Sequence, residues 1–192
     1  MYLIFDTETT GLPKNWKAPL TNLSNWPRMI QIGWILYDHD GNEIEVESYI
    51  IKPKGFSIPP DAQRVHGIST EQAEKEGQDL RTVLKNFLNV LNRAEYLVAH
   101  NISFDEKIIG AEFLRENMTF DSLVKIKKIC TKEASTNYCK LPGNYGYKWP
   151  SLSELYFKLF NTHLKEAHNA EVDVRTCGKC FFELKQRGVI KF

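Results

Sequence analysis

Apolar and polar positions along this chain fall into blocks that switch between a two-residue and a 3.6-residue period. Tyr2-Leu3-Ile4-Phe5 is a continuous apolar run closed by Asp6, the pattern of a buried strand ending in a carboxylate. Residues 29–37 (MIQIGWILY) and 44–51 (IEVESYII) are rich in β-branched and aromatic side chains and predict two further strands. Asp40-Gly41 lies between them and is a strong hairpin signal, so these strands are expected to be antiparallel neighbours.

Helical periods follow. Ser69-Thr70-Glu71-Gln72 has the spacing of a capping box and opens a short helix. Within 79–92, Leu80, Val83, Leu84, Phe87, Leu88 and Leu91 recur at i, i+3, i+4, i+7, i+8 and i+11, which predicts an amphipathic helix. Residues 96–99 (YLVA) predict another buried strand. Ser103-Phe104-Asp105-Glu106 has capping-box spacing and starts a helix running to about Asn117. A shorter strand is expected near 126–130. The stretch 133–150 is rich in Asn, Gly, Pro and Tyr and predicts mainly a loop. Ser151-Leu152-Ser153-Glu154 caps a helix to about Phe160, and a final helix spans about 169–186, with Gly188 as its terminator. Strands first, then strands alternating with helices, predict a mixed α/β fold around one sheet.

Composition narrows the function classes. The 192 residues suit one domain, 1–192, with a single sizeable core. Hydrophobic content of 42% and charged content of 26% are those of a soluble globular protein. A formal net charge of +1 excludes a generally basic, DNA-coating protein, so any nucleic acid must be held by a local patch or by metal ions. No signal-peptide pattern precedes Asp6, and no apolar run approaches the roughly 20 residues that span a bilayer. A cytoplasmic location without a membrane partner is therefore the expectation. The four cysteines are expected to be reduced. Cys177-Gly178-Lys179-Cys180 looks like half a zinc or redox motif but lacks a second pair at ligand spacing.

Three segments carry candidate chemistry. In Phe5-Asp6-Thr7-Glu8-Thr9-Thr10-Gly11, residues i and i+2 of a strand point to one side, so Asp6 and Glu8 present two carboxylates to one face. A hard divalent cation relieves their repulsion, and oxygen ligands suit magnesium or manganese; a solvated strand end with two charges is the alternative. In His100-Asn101-Ile102-Ser103-Phe104-Asp105, Asp105 falls in a first helical turn, where the dipole alone favours an acid. In His168-Asn169-Ala170-Glu171-Val172-Asp173, the outer pair would stand about 140° apart on a continuous helix. They can share a site if His168 lies in the loop before the helix and Asp173 inside it. Asp173, Cys177, Cys180 and Leu184 follow i, i+4, i+7 and i+11, so Asp173 shares a stripe with core residues and needs a partner such as a metal. The thiols are then small packing residues behind the site.

Jointly, FDTETTG, HNISFD and HNAEVD resemble the motifs of the DEDD 3′–5′ exonucleases, in the branch whose third motif carries histidine. The proofreading subunits of bacterial replicative DNA polymerases are similar. Order and rough spacing also match, and Arg64-Val65-His66-Gly67-Ile68-Ser69 resembles a recurrent segment between the first two motifs. The resemblance spans about residues 2–185. It implies a ribonuclease H-like fold, a five-stranded mixed sheet with the second strand antiparallel and flanked by helices. It implies two-metal phosphodiester hydrolysis with two magnesium or manganese ions per site. Asp6 would bridge both ions, Glu8 and Asp173 would complete the water-activating site, and Asp105 would help to hold the other ion. His168 would be the general base, and two ions roughly 4 Å apart would stabilise the attacking and leaving oxygens. Thr9, Thr10, Asn101 and Phe104 would contact the 3′-terminal nucleotide. For Phe104 core packing is the alternative, and His66 would either approach substrate or order its loop.

The expected substrate is the 3′ end of single-stranded DNA, releasing nucleoside monophosphates. The alternatives are RNA ends or a non-catalytic nucleic-acid-binding module. A polymerase or repair partner is implied, and oligomeric state carries no signal. Residues 14–28 and 131–150 lengthen the family pattern and bring basic residues interleaved with tryptophan and tyrosine, a composition that suits single-strand binding or simply anchors longer loops.

Overall fold

The computed structural model describes residues 1–164 and 170–192. Its centre is β1 (Tyr2–Thr9), which pairs antiparallel with β2 (Met29–Tyr37) and parallel with β4 (Tyr96–Ala99). β3 (Glu43–Ile50) flanks β2 and β5 (Lys127–Cys130) flanks β4, giving the order β3-β2-β1-β4-β5. The mixed five-stranded sheet with an antiparallel second strand is thus present, and the turn at Asp40-Gly41 joins β2 to β3 as expected, with Gly41 at φ 92°. Every residue of β2 is buried, because helices cover both faces of the sheet there.

Strand parity divides the core in two. Leu3, Phe5, Trp34 and Leu36 pack on one face with α3 (Leu80–Leu91) and α4 (Ile102–Arg115). Tyr2, Ile4, Ile35 and Tyr37 pack on the other with α7 (Leu152–Phe160) and α8 (Ala170–Gln186). Helix α3 buries the expected stripe, with Asp79 as its N-cap, except that Val90 is buried where Leu88 is only partly so. Two short helices, α1 (Pro60–His66) and α2 (Thr70–Glu76), precede it, the second capped by Ser69. A short helix α5 (Asp121–Lys125) leads into β5.

Two expectations are corrected. Helix α4 is not capped by Ser103. Its cap lies two residues earlier, at Asn101, whose left-handed backbone (φ 84°) turns the chain sharply out of β4. The stretch 133–150 is not mainly loop. Helix α6 (Thr131–Cys139) occupies its first half, followed by a two-residue hairpin, β6 (Pro142–Gly143) with β7 (Gly146–Tyr147). Within the helix, the Ser135 and Thr136 hydroxyls donate to the carbonyls of Thr131 and Lys132 four residues back. The capping box at Ser151 and Glu154 is fully formed, and Cys177 and Cys180 are buried free thiols on the inner face of α8. Among the described residues, no helix is long and apolar enough to cross a membrane.

Candidate active site

The site lies at the carboxyl end of β1, where the neighbouring strand on one side runs parallel and on the other antiparallel. Such switch points leave a crevice beyond the strand ends. Even-numbered residues of β1 face α8, so Asp6 and Glu8 continue the row of Tyr2 and Ile4 and point toward Asp173. The carboxylate oxygens of Asp6, Glu8 and Asp173 lie within 4.8 Å of one another, and all three residues are half-buried.

Asp105 reaches the same place from the opposite face. β4 pairs with β1 only over Tyr2–Ile4, so β1 continues past its parallel neighbour. Asp105 uses the donors exposed there: its Oδ1 accepts from the backbone N–H of Thr7 at 3.1 Å and from the Thr7 hydroxyl at 2.7 Å. It is buried and stands beside the triplet rather than within it.

The electrostatics of this arrangement are unfavourable without a cation. Burial, then Asp105, Glu8 and Asp173, push the Asp6 carboxyl well above its ordinary range. Burial and the Asp173 and Asp105 charges push Glu8 up to about 7. Burial raises Asp105 to about 7 against the pull of the Thr7 hydrogen bonds.

A cleft of about 300 Å3 opens over these groups, walled also by His100, Asn101, Phe104 and the start of α7 at Ser151–Ser153. Asn101 and Phe104 therefore lie where a ligand would enter, and Phe104 packs against Trp16 at 5.7 Å between ring centroids. Thr9, Thr10 and His66 do not line the cleft. The Thr9 hydroxyl donates to Gly11 O at 2.7 Å, and the Thr10 hydroxyl accepts from Arg28 N at 2.9 Å, so both order the chain leaving β1. His66 is buried at the end of α1. Its Nδ1 accepts from Ile68 N, and its Nε2 has no partner among the described residues. His168 lies outside the described residues.

Three residues inside the segments already singled out take roles that the sequence did not assign to them. Thr7 sits between the two carboxylates of the first motif and holds the acid of the second, which strand parity alone could have suggested. His100 joins both ends of the segment 131–150, with Nδ1 3.0 Å from Thr131 Oγ1 and Nε2 3.0 Å from Pro150 O. Burial lowers its pKa to about 4, so the ring is neutral. A carbonyl only accepts, so Nε2 carries the proton and Nδ1 accepts from the threonine hydroxyl. Lys132 is the third, donating to Asn101 Oδ1 at 2.7 Å.

The start of α8 is seated directly on β2. Gln31 Oε1 accepts from Ala170 N at 3.3 Å, and a Cβ at Gly33, the partner of Asp6 in the ladder, would meet the Ala170 carbonyl carbon and oxygen at 3.0 Å. Gly33→Ala is expected to push α8 and Asp173 outward. A stability loss of about 1–3 kcal/mol should appear in thermal melts, together with a smaller metal-induced rise in Tm. A variant equal to wild type in both would show that α8 can shift without disturbing the carboxylates.

Residues 3–181 match the family model described as Exonuclease (RNase_T). The DNA polymerase III PolC-type protein of Mycoplasmopsis pulmonis (strain UAB CTIP) is 28% identical over 196 residues, covering 100% of this chain and 12% of that protein. The DNA polymerase III subunit epsilon of Treponema pallidum (strain Nichols) is 26% identical over 186 residues, covering 94% of this chain and 74% of its own length. Among solved structures, E. coli Exonuclease I in complex with a dT13 oligonucleotide superposes with a TM-score of 0.78 at 19% identity, over 97% of this chain and 41% of that one. The chain thus spans only about an eighth of the first relative and two fifths of this structural neighbour, whose likeness establishes the fold.

Proposed function

Because the chain belongs to the exonuclease family, we propose that it is a divalent-metal-dependent 3′–5′ exonuclease that releases nucleoside monophosphates from the 3′ end of nucleic acid, with single-stranded DNA preferred. The observation that carries this reading is the gathering of Asp6, Glu8 and Asp173 oxygens within 4.8 Å, in a setting where the Asp173 and Asp105 charges raise the pKa of Asp6 and Glu8. The donor set fits a hard cation. All three ligands are carboxylates, with no thiol or imidazole in the triplet, which suits magnesium or manganese. Asp6, Glu8 and Asp173 would hold one ion, and Asp105, beside Asp6, would help to hold a second. When bound, the ions supply Lewis-acid stabilisation of the phosphodiester and make water a stronger acid.

The chain's own groups do the rest. Thr7 fixes the orientation of Asp105, and Gln31 seats α8 so that Asp173 faces β1. His168, in the stretch just before α8, takes the proton of the attacking water, its unperturbed pKa of about 6.5 suiting a base near neutrality. Asn101 and Phe104 meet the terminal nucleotide in the cleft, while Thr9 and Thr10 order the chain leaving β1 and His66 orders the turn after α1. The names of the two sequence relatives support a replicative or repair polymerase as partner.

Incubation of the protein with magnesium or manganese and 5′-labelled single strands tests the reading. DNA should shorten stepwise from its 3′ end and faster than RNA, and a 3′-phosphate should block it. No metal-dependent shortening of either nucleic acid would sink the enzyme reading. His168→Ala should lower the rate by about 100-fold or more while leaving the metal-induced rise in Tm intact; loss of that rise would make His168 a ligand instead.

The carboxylates also predict a pH dependence. Their folded pKa values are raised, so the stability they permit is fully present below the unfolded values near 4 and is lost as pH rises through about 7. Bound cations remove that penalty. Saturating manganese should therefore raise Tm more at about pH 8 than at about pH 5. Equal gains at both would contradict a carboxylate site.

A further inference from the structure

The segment 131–150 is built as a strap. His100 ties Thr131 to Pro150 through its two ring nitrogens, so both ends are fixed on one neutral, half-buried imidazole. A second tie lies nearer the surface. The Lys132 Nζ sits 4.4 Å from the centroid of the Trp149 ring while it donates to Asn101 Oδ1 at 2.7 Å, and Asn101 lines the cleft. Two features of this pair are not explained by packing. Trp149 is 61% exposed, so the indole is not a core anchor for the strap. Lys132 makes no ion pair with any described residue, and of the site's carboxylates its charge acts on Asp105, which it pulls down. An ammonium with no ion-pair partner among the described residues, laid on an exposed indole two residues before the Ser151–Ser153 wall of the cleft, offers a phosphate ligand and a stacking face side by side.

We infer that Lys132 and Trp149 form a subsite for the nucleotide immediately upstream of the 3′-terminal one, Lys132 taking a phosphate and Trp149 stacking on the base. A base can stack on the indole only if it is unpaired, so this subsite makes the enzyme select strands that are single beyond their terminal nucleotide. The inference rests on the exonuclease reading of the cleft.

The test compares two substrates for the full chain: a 5′-labelled single-stranded oligodeoxynucleotide, and the p-nitrophenyl ester of thymidine 5′-monophosphate, which has no upstream neighbour. Trp149→Ala should raise KM for the oligonucleotide about tenfold or more, the equivalent of one lost stack, and leave ester hydrolysis unchanged. Trp149→Phe should recover most of the loss. Lys132→Gln should flatten the salt dependence of oligonucleotide binding by about 0.7 in log–log slope, and Lys132→Arg should restore it. If wild type hydrolyses both substrates and Trp149→Ala matches it on the oligonucleotide, the subsite is wrong and the exonuclease reading stands. Equal losses on both substrates would also overturn the subsite, since the pair would then act on the cleft as a whole. If wild type hydrolyses neither, the exonuclease reading itself falls and the subsite with it.

Discussion

Asp6→Asn is expected to remove activity on oligonucleotides by at least about a thousandfold while raising the Tm of the metal-free protein. Asp6 is the residue on which all the other charges converge: Asp105, Glu8 and Asp173 each push its carboxyl up, on top of burial. Asparagine keeps the shape and removes the charge. The remaining acids then each lose their repulsion with Asp6, so the fold gains what the metal site loses, the usual relation between a strained functional site and stability. Rates on a 5′-labelled strand and melts in chelator would check the two halves together. Near-normal activity would remove Asp6 from the metal site, and inactivity accompanied by a fall in Tm would make it a structural residue.

Glu112→Ala is expected to be the most destabilising single change, by about 3–5 kcal/mol, or roughly 10 °C in Tm. Glu112 is fully buried on α4. Its carboxylate accepts from Arg28 Nε and Met29 N, both at 2.9 Å, and lies 3.0 Å from Arg115 Nη1. Arg115 in turn donates to the carbonyls of Leu23 and Trp26 at 2.7 and 2.8 Å. This network fastens the long segment between β1 and β2 to the helix that carries Asp105. Alanine would leave two guanidiniums without their buried counter-charge. Glu112→Gln, which still accepts hydrogen bonds, should lose less. A melt within about 1 kcal/mol of wild type for Glu112→Ala would show that water reaches this site.

Much of this was legible in the sequence, and the exceptions have physical causes. The apolar runs of β1 and β2, the Asp40-Gly41 turn and the apolar stripe of α3 are local patterns with one structural solution, and each was formed as expected. The pairing of Asp6 with Glu8 followed from strand parity, and the inward face of Asp173 from its stripe with Cys177, Cys180 and Leu184. The true start of α4 was hidden because Ser103 and Glu106 have cap spacing, whereas the turn is made by Asn101 in a left-handed conformation that no spacing rule encodes. Helix α6 was hidden because Thr131–Cys139 has no marked apolar stripe and runs into the Asn-, Gly-, Pro- and Tyr-rich stretch that follows. It forms where Thr131, Ser135 and Cys139, four apart, are buried against the rest of the chain. Glu112 reads as one more helical acid, and only the long-range arrival of Arg28 turns it into a buried hub. The seat of Asp105 on Thr7 joins residues 98 apart in sequence and depends on β4 being shorter than β1.

The central claim is that three carboxylates from β1 and α8 form a divalent-cation site. Anomalous difference density from crystals grown with manganese tests it most directly. A peak coordinated by Asp6, Glu8 and Asp173, absent from Asp6→Asn crystals, is the predicted result. Crystals with no peak at these residues, at a manganese concentration that supports nucleic acid cleavage, would contradict it.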